Sequence, residues 1–249
     1  MSAAVVVDGV TKRFRLANHT TIKKATVNAV KRRQMSRSFT ALEDISFALD
    51  EGDTIGLMGL NGSGKSTLLK LISGVMQPDE GKVLTRGRIA GLIEVGAGLH
   101  PDLSGRENIY LNGAILGMTR AEIDNKFDSI IEFSEMGKFL DNEVKQYSSG
   151  MFMRLAFATA VHTECDIFLV DEVLAVGDQP FKKKCMRRIR ELRDEGRTMV
   201  FVSHNPKQVV RLCNRGLVLK GGKVAFEGPS EEAVKFLNYD LDDEDDDDD

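Results

Sequence analysis

The stretch "GLNGSGKST" (59–67) sets the reading of everything around it. A glycine, four residues and then Gly64-Lys65-Ser66 form the spacing of a phosphate-binding P-loop. The stretch lies between a short apolar run, "TIGLMG" (54–59), and "GKSTLLKLISG" (64–74), which reads as a helix closed by Gly74. A strand-loop-helix context is what the mechanism needs. The glycines let backbone N–H groups wrap a phosphate chain, and the helix N-terminus adds partial positive charge. Gly59, Asn61, Gly62, Ser63, Gly64, Lys65, Ser66 and Thr67 are therefore candidate nucleotide-binding residues. Lys65 is expected to reach the β and γ phosphates, and the Ser66 hydroxyl to ligate Mg²⁺.

Two further runs, "DIFLVDE" (166–172) and "TMVFVSH" (198–204), are short and continuously apolar, which suits buried parallel strands. Open α/β sheets present ligands at the carboxyl ends of such strands. The first run ends in Asp171 and Glu172, and in P-loop enzymes an acid here holds hydrated Mg²⁺. Asp171 takes that role, and Glu172 is the candidate general base, a function worth about 10²–10⁴-fold in rate. His204 ends the second run, where a phosphate contact is expected.

Around these landmarks strands alternate with helices, which argues for an α/β fold with a mostly parallel sheet. "VVVDGVTKRF" (5–14) reads as a strand and turn, and Thr21 to Arg33 as a weakly amphipathic helix. Residues 41–53 return to strand alternation, and 77–96 read as strand-turn-strand. Residues 106–145 read as mainly helical, and "KKKCMRRIRELRDEG" (182–196) as a basic amphipathic helix. "GLVLKGGKVAFEG" (216–228) reads as a hairpin across Gly221-Gly222. Ser230 is expected to cap a last helix, with Glu231 and Glu232 in its first turn. "YSSGMFMRLAFATA" (147–160) starts an apolar helix carrying one arginine, Arg154. Such a helix start exposes N–H groups to an anion or to water.

Composition is that of a soluble α/β protein, and 249 residues suffice for a sizeable core. No apolar run approaches membrane-spanning length, and residues 1–10 lack the pattern of a signal peptide, so neither is expected. Cys165, Cys185 and Cys213 match no metal spacing and read as reduced, buried and cytosolic. The net charge of −4 conceals two extremes. Nine acids fill 240–249, so the body alone carries +5, and the run is expected to be a disordered tail, 239–249. Between Asp8 and Glu43 there are nine basic residues and no acid: Lys12, Arg13, Arg15, Lys23, Lys24, Lys31, Arg32, Arg33 and Arg37. That asymmetry suits an anionic partner or a solvated face.

The P-loop, a Ser-Ser-Gly helix start, a strand ending Asp-Glu and a strand ending in His follow one another in the order found in ABC ATPases. The chain resembles the ATP-binding subunit of an ABC transporter over roughly residues 5–238. The resemblance implies a P-loop NTPase fold with a mostly parallel core sheet, an antiparallel β subdomain and a helical subdomain at about 100–162. The basic stretch at about 15–39 then reads as an insertion. The resemblance also implies ATP and Mg²⁺ as cofactors and a head-to-tail homodimer. In such a dimer Tyr147, Ser148, Ser149 and Gly150 stand at the signature motif and act on ATP in trans. Asp178 closes the D-loop, and Phe14 matches the aromatic residue that stacks on adenine. Ser149 and Met151 depart from the usual Leu-Ser-Gly-Gly-Gln, and Glu94 stands where the Q-loop glutamine is expected to contact Mg²⁺ and water.

"YSSGM", "GLIEVGAG", "GRENIYLNG" and "DEVLAVGDQPFKKKC" are together similar to the subgroup exporting lipid-linked polysaccharides such as O-antigen, capsule, teichoic acid and cell-wall galactan. Membership implies a separate permease of about six spans in two copies, a location on the cytoplasmic face of the bacterial membrane, and no nucleic-acid partner. Because the sequence ends soon after the ATPase region, the carbohydrate-binding C-terminal domain of some O-antigen members is not expected. Two alternatives are a soluble ABC ATPase acting on nucleic acid or ribosomes, and a P-loop kinase. The first generally needs tandem ATPase domains or a long coiled coil, and the second leaves "YSSGM" and His204 without a role.

Overall fold

The computed structural model describes residues 2–16, 37–92, 98–171, 178–203 and 205–237. In chain order these form β1 (Ala3–Leu16), β2 (Arg37–Asp50), β3 (Thr54–Met58), α1 (Lys65–Ile72), β4 (Glu80–Thr85) and β5 (Ile89–Leu92). A helical stretch follows, with α2 (Gly105–Ile115), α3 (Arg120–Ser134) and α4 (Ser149–Val161). Then come β6 (Ile167–Val170), α5 (Gln179–Asp194), β7 (Thr198–Val202), α6 (Pro206–Leu212), β8 (Arg215–Lys220), β9 (Lys223–Pro229) and α7 (Ser230–Phe236). The expected helix from Thr21 to Arg33 and the acidic tail lie outside the described residues.

One sheet runs in the order β5-β6-β7-β3-β8-β9, parallel from β5 through β8, with β9 antiparallel at its edge. Every residue of β3, β6 and β7 is buried, as continuous apolar strands in a sheet covered on both faces must be. Phe168, Val170, Phe201 and Val218 pack with residues of α4 to α7 on one face. Ile167, Leu169, Val200 and Leu217 pack on the other with Leu68, Leu69 and Ile72 of α1 and with the inner face of a second sheet. That second sheet is antiparallel, in the order β2-β1-β4. Both expected sheets are therefore present.

Helices α2 to α4 bury a core of their own around Ile109, Ile123, Ile130, Leu155 and Ala158. Ser104 and Thr119 each start a helix with a capping box, closed by Glu107 and Glu122 three residues on. Phe133 packs against this core and against the main one, so the helical arm is seated on the sheet by shared apolar surface.

Three local readings change. "VVVDGVTKRF" is not strand then turn: β1 continues to Leu16 across register shifts at Val7/Val10, with Gly9 at φ 60°, so the Asp-Gly pair forms a bulge. The strand-turn-strand at 77–96 splits between sheets, because β4 pairs with β1 whereas β5 runs parallel to β6. Ser230 does not cap α7 either. Pro229 is the N-cap and no side chain caps the helix, while Ser230 is buried in its first turn with its N–H on the Asn214 carbonyl. The last strand runs directly into the helix, which leaves no loop residue to serve as a cap. The Gly221-Gly222 hairpin is present, with φ 58° and 79° as a type I′ turn requires.

Candidate functional site

The fully buried β3 delivers the chain to Gly59, where φ is 140° and an added Cβ would lie 2.2 Å from the Leu219 carbonyl oxygen. Only glycine can bring the loop this close to β8. The loop then turns through a Ser63 N–H to Leu60 carbonyl bond of 3.1 Å, and Gly62, at φ 79°, has no atom within 4 Å of an added Cβ. Gly64 caps α1 in the left-handed conformation with φ 109°, and no side chain satisfies the first-turn N–H groups of that helix. Its first turn also holds no acid. Such an end attracts an anion through N–H groups and dipole together.

Lys65 is buried, and its ammonium donates to the carbonyls of Gly59 at 2.7 Å and Leu60 at 3.0 Å. The cation is thus held over its own loop. Ser63 Oγ is the buried side-chain oxygen or nitrogen that lacks a hydrogen-bond partner among the described residues, which a protein interior rarely tolerates without a ligand to supply one. Ser66 is exposed at the mouth of the loop and Thr67 half-buried. An uncapped helix end, an orphaned hydroxyl and a glycine cradle with a lysine across it fit a polyphosphate. The Ser66 hydroxyl and the Asp171 carboxylate are hard oxygen donors of the kind Mg²⁺ takes alongside phosphates.

The second sheet closes over this loop. An added Cβ on Gly64 would meet Leu42 Cδ2 at 2.5 Å and the Ala41 carbonyl at 2.8 Å, and the Glu43 N–H bonds to the Gly222 carbonyl at 2.8 Å. Phe14, half-buried on β1, pairs across the ladder with Phe39 and carries the Lys12 ammonium 5.9 Å from its ring centroid.

The order β5-β6-β7-β3 sets side by side the parallel strands that lead toward the remaining candidates. The P-loop leaves the carboxyl end of β3, and half-buried Asp171 follows the carboxyl end of β6, two strands away. β7 runs between them and leads to His204, and β5, beyond β6, leads to Glu94. Glu94, Glu172 and His204 themselves lie outside the described residues. Ser203 and Asn205, flanking His204, are fixed by bonds to Gln208, with Asn205 capping α6.

The helical arm holds the other candidates. Ser148 is the N-cap of α4, its Oγ accepting from the Met151 N–H at 3.2 Å. Ser149 is exposed and Gly150 half-buried in the first turn. Tyr147 faces the arm, its hydroxyl donating to the Phe139 carbonyl at 2.7 Å, so it braces the helix start. Asp178 caps α5 through the Phe181 N–H and accepts two bonds from Arg154 Nη2, at 3.0 and 2.9 Å. Sequence reasoning noted Arg154 but gave it no role. Its guanidinium also reaches Glu135 and lies 4.6 Å from the Phe181 ring centroid, and Lys184 holds Glu135 from the other side at 3.0 Å. Lys184 and Arg154 together draw the Glu135 carboxyl below the usual range. The α4 helix and the Asp178 cap of α5 are tied in one network by an arginine whose only sequence signal is a charge in an apolar helix.

A second tie joins arm to core. Arg88, between β4 and β5, donates to Glu122 of α3 at 2.7 Å and also to the Gly117 carbonyl. Arg88 first, then the Thr119 N–H and hydroxyl, pull the Glu122 carboxyl from 4.5 to about 2. A depressed carboxylate stabilises the fold above its unfolded pKa, and that contribution is lost as pH falls through the folded one. The melting-temperature gap between wild type and Glu122→Gln is therefore expected to be constant above 4.5 and to close between 4.5 and about 2. Thermal denaturation across that range checks this; a gap that stays constant would remove Glu122 as the ionised partner of Arg88.

Burial pushes the thiols up, to about 11 for Cys165 and about 12 for Cys185 and Cys213, and all three are free. No helix among the described residues is long and apolar enough to cross a membrane.

A family model described as ABC transporter matches residues 42–175. The O-antigen export system ATP-binding protein RfbB of Myxococcus xanthus is 45% identical over 241 residues, which are 94% of this chain and 55% of that protein. This chain thus spans about half of the Myxococcus relative. An RfbB of Klebsiella pneumoniae is 42% identical over 240 residues, covering 95% of this chain and 98% of that one. Among solved structures, the dimeric post-hydrolysis state of the ATP-binding cassette MJ0796 bound to ADP and Pi superposes with a TM-score of 0.72 at 24% identity, over 91% of this chain and 98% of that chain.

Proposed function

The chain belongs to the ABC transporter family, and we propose that it is the ATP-hydrolysing subunit of an exporter of lipid-linked polysaccharide. The observation that supports this most is the split of the site. The glycine cradle of 59–67 sits on the core, whereas the Ser148-capped helix stands on the helical arm and is tied to the Asp178 cap. Two copies arranged head to tail then bring Ser148, Gly150 and Asp178 of one to the P-loop of the other.

In this reading the N–H groups of the P-loop and α1 bind the phosphates, and Lys65 swings from the Gly59 and Leu60 carbonyls onto the β and γ phosphates. Phe14 stacks on adenine. Ser66 and Asp171 hold Mg²⁺, with Glu94 beside it, and the ion when bound neutralises charge on the phosphates. Glu172 takes the proton of the attacking water, and His204 orients the γ phosphate. The domain runs over 1–238 with its helical subdomain at about 100–162, on the cytoplasmic face of the membrane beside a separate permease of about six spans in two copies.

The basic stretch at about 15–39 is read as facing the anionic inner leaflet or the substrate's pyrophosphate, where each charge is worth about 1 kcal/mol. The experiment is ATPase assayed in vesicles with the permease, with and without lipid-linked polysaccharide. Hydrolysis is expected to rise with substrate. Neutralising Lys31, Arg32, Arg33 and Arg37 together is expected to reduce that stimulated rate several-fold and the basal rate far less. A wild-type rate indifferent to the polysaccharide would contradict the export reading.

A further inference from the structure

The β1–β2 ribbon places a second aromatic residue beside Phe14. Register pairs Phe14 with Phe39 directly across the antiparallel ladder, which puts both side chains on one face of the sheet with Cβ atoms about 5 Å apart. Phe39 is 51% exposed, an unusual setting for a phenylalanine in a strand. Lys12, two residues before Phe14, covers part of the Phe14 ring.

The ribbon's position gives this pair a use. Ala41 and Leu42, two and three residues further along β2, pack on Gly64 at the start of α1. At about 3.3 Å per residue Phe39 therefore lies roughly 7–10 Å along the strand from the phosphate cradle. Phosphates seated on that helix end put the ribose and base one sugar's length outward, along this ribbon. A planar, apolar-faced group arriving there meets Phe14 and an exposed ring beside it.

We propose that Phe39 is a second aromatic wall of the nucleotide site, packing against the purine that Phe14 stacks on and favouring adenine over guanine. This rests on the reading of 59–67 as an ATP site. Adenine presents an apolar C2–H edge where guanine presents an amino group, and an apolar wall disfavours burying that amino group without a partner.

The chain contains no tryptophan, so Phe39→Trp and Phe14→Trp each give a single emitter. With the full chain and Mg-ATP as probe, both emissions are expected to be quenched with one saturation curve, and Mg-GTP to quench Phe39→Trp only at concentrations about three- to tenfold higher. Phe39→Ala is expected to raise KM for ATP by about three- to tenfold with a much smaller change in kcat, and Phe39→Tyr to restore it. Quenching of Phe14→Trp with Phe39→Trp unchanged would overturn the second wall while leaving the ATP site standing. No ATP binding by either variant or by wild type in calorimetry would overturn both together.

Discussion

Glu172→Gln is expected to leave ATP binding in place while lowering steady-state hydrolysis by about 10²–10⁴-fold, the range a positioned base supplies. The acid follows Asp171 at the end of a strand whose four residues Ile167, Phe168, Leu169 and Val170 are fully buried. That strand runs parallel with β3, two strands away, so both deliver their carboxyl ends to the same edge of the sheet. Glutamine keeps the shape and loses the proton acceptor. ATP should therefore bind and persist, and dimers should accumulate with it. Equilibrium binding, turnover and size-exclusion with Mg-ATP check the three parts separately. Turnover within about twofold of wild type would remove Glu172 as the base.

Ser148→Arg is expected to abolish hydrolysis by the homodimer while its own P-loop still binds ATP. The structure separates this from a folding defect. Ser148 Oγ accepts from the Met151 N–H as a helix cap, and losing such a cap costs about 0.5–2 kcal/mol. In a chain of this size that lowers the melting temperature by a few degrees, at roughly 2–4 °C per kcal/mol. The arginine instead fills the approach to the α4 N-terminus, where the proposed head-to-tail dimer seats the partner's γ phosphate. A modest thermal shift with near-complete loss of turnover is the expected pair of readings.

The parts of the fold legible in the sequence are those whose cause is local. Continuous apolar runs gave β3, β6 and β7; the glycine spacing gave the loop and α1; two adjacent glycines gave the β8–β9 turn. Asp8-Gly9 looked like a turn because a bulge uses the same residues, and what carries β1 through it is pairing with β2 and β4 far along the chain. The same non-local pairing sends β4 and β5 to different sheets across the short link at 86–88. In the site, the glycine-rich loop at 59–64 and the helix after it were legible, since local backbone conformation builds them. The Arg154 network was not. Its partners Glu135 and Asp178 lie 19 and 24 residues away and meet only when α3, α4 and α5 pack. Leu42 against Gly64 and Phe39 across from Phe14 likewise depend on the register of a long ribbon. Glu94, Glu172 and His204 rest on the strands that lead to them.

The division of one catalytic site between two copies is tested by mixing Ser148→Arg with Lys65→Ala and measuring ATP hydrolysis. Lys65→Ala removes the buried ammonium that spans the loop, and alone it is expected to be as inactive as Ser148→Arg. In a mixed dimer the P-loop of the Ser148→Arg copy faces the unaltered signature helix of the Lys65→Ala copy, so one of the two sites is whole. Random pairing makes half the dimers mixed, so recovery to at most about a quarter of the wild-type rate is expected from two inactive proteins. A mixture as inactive as either parent, or a Ser148→Arg homodimer that turns over normally, would contradict a shared site.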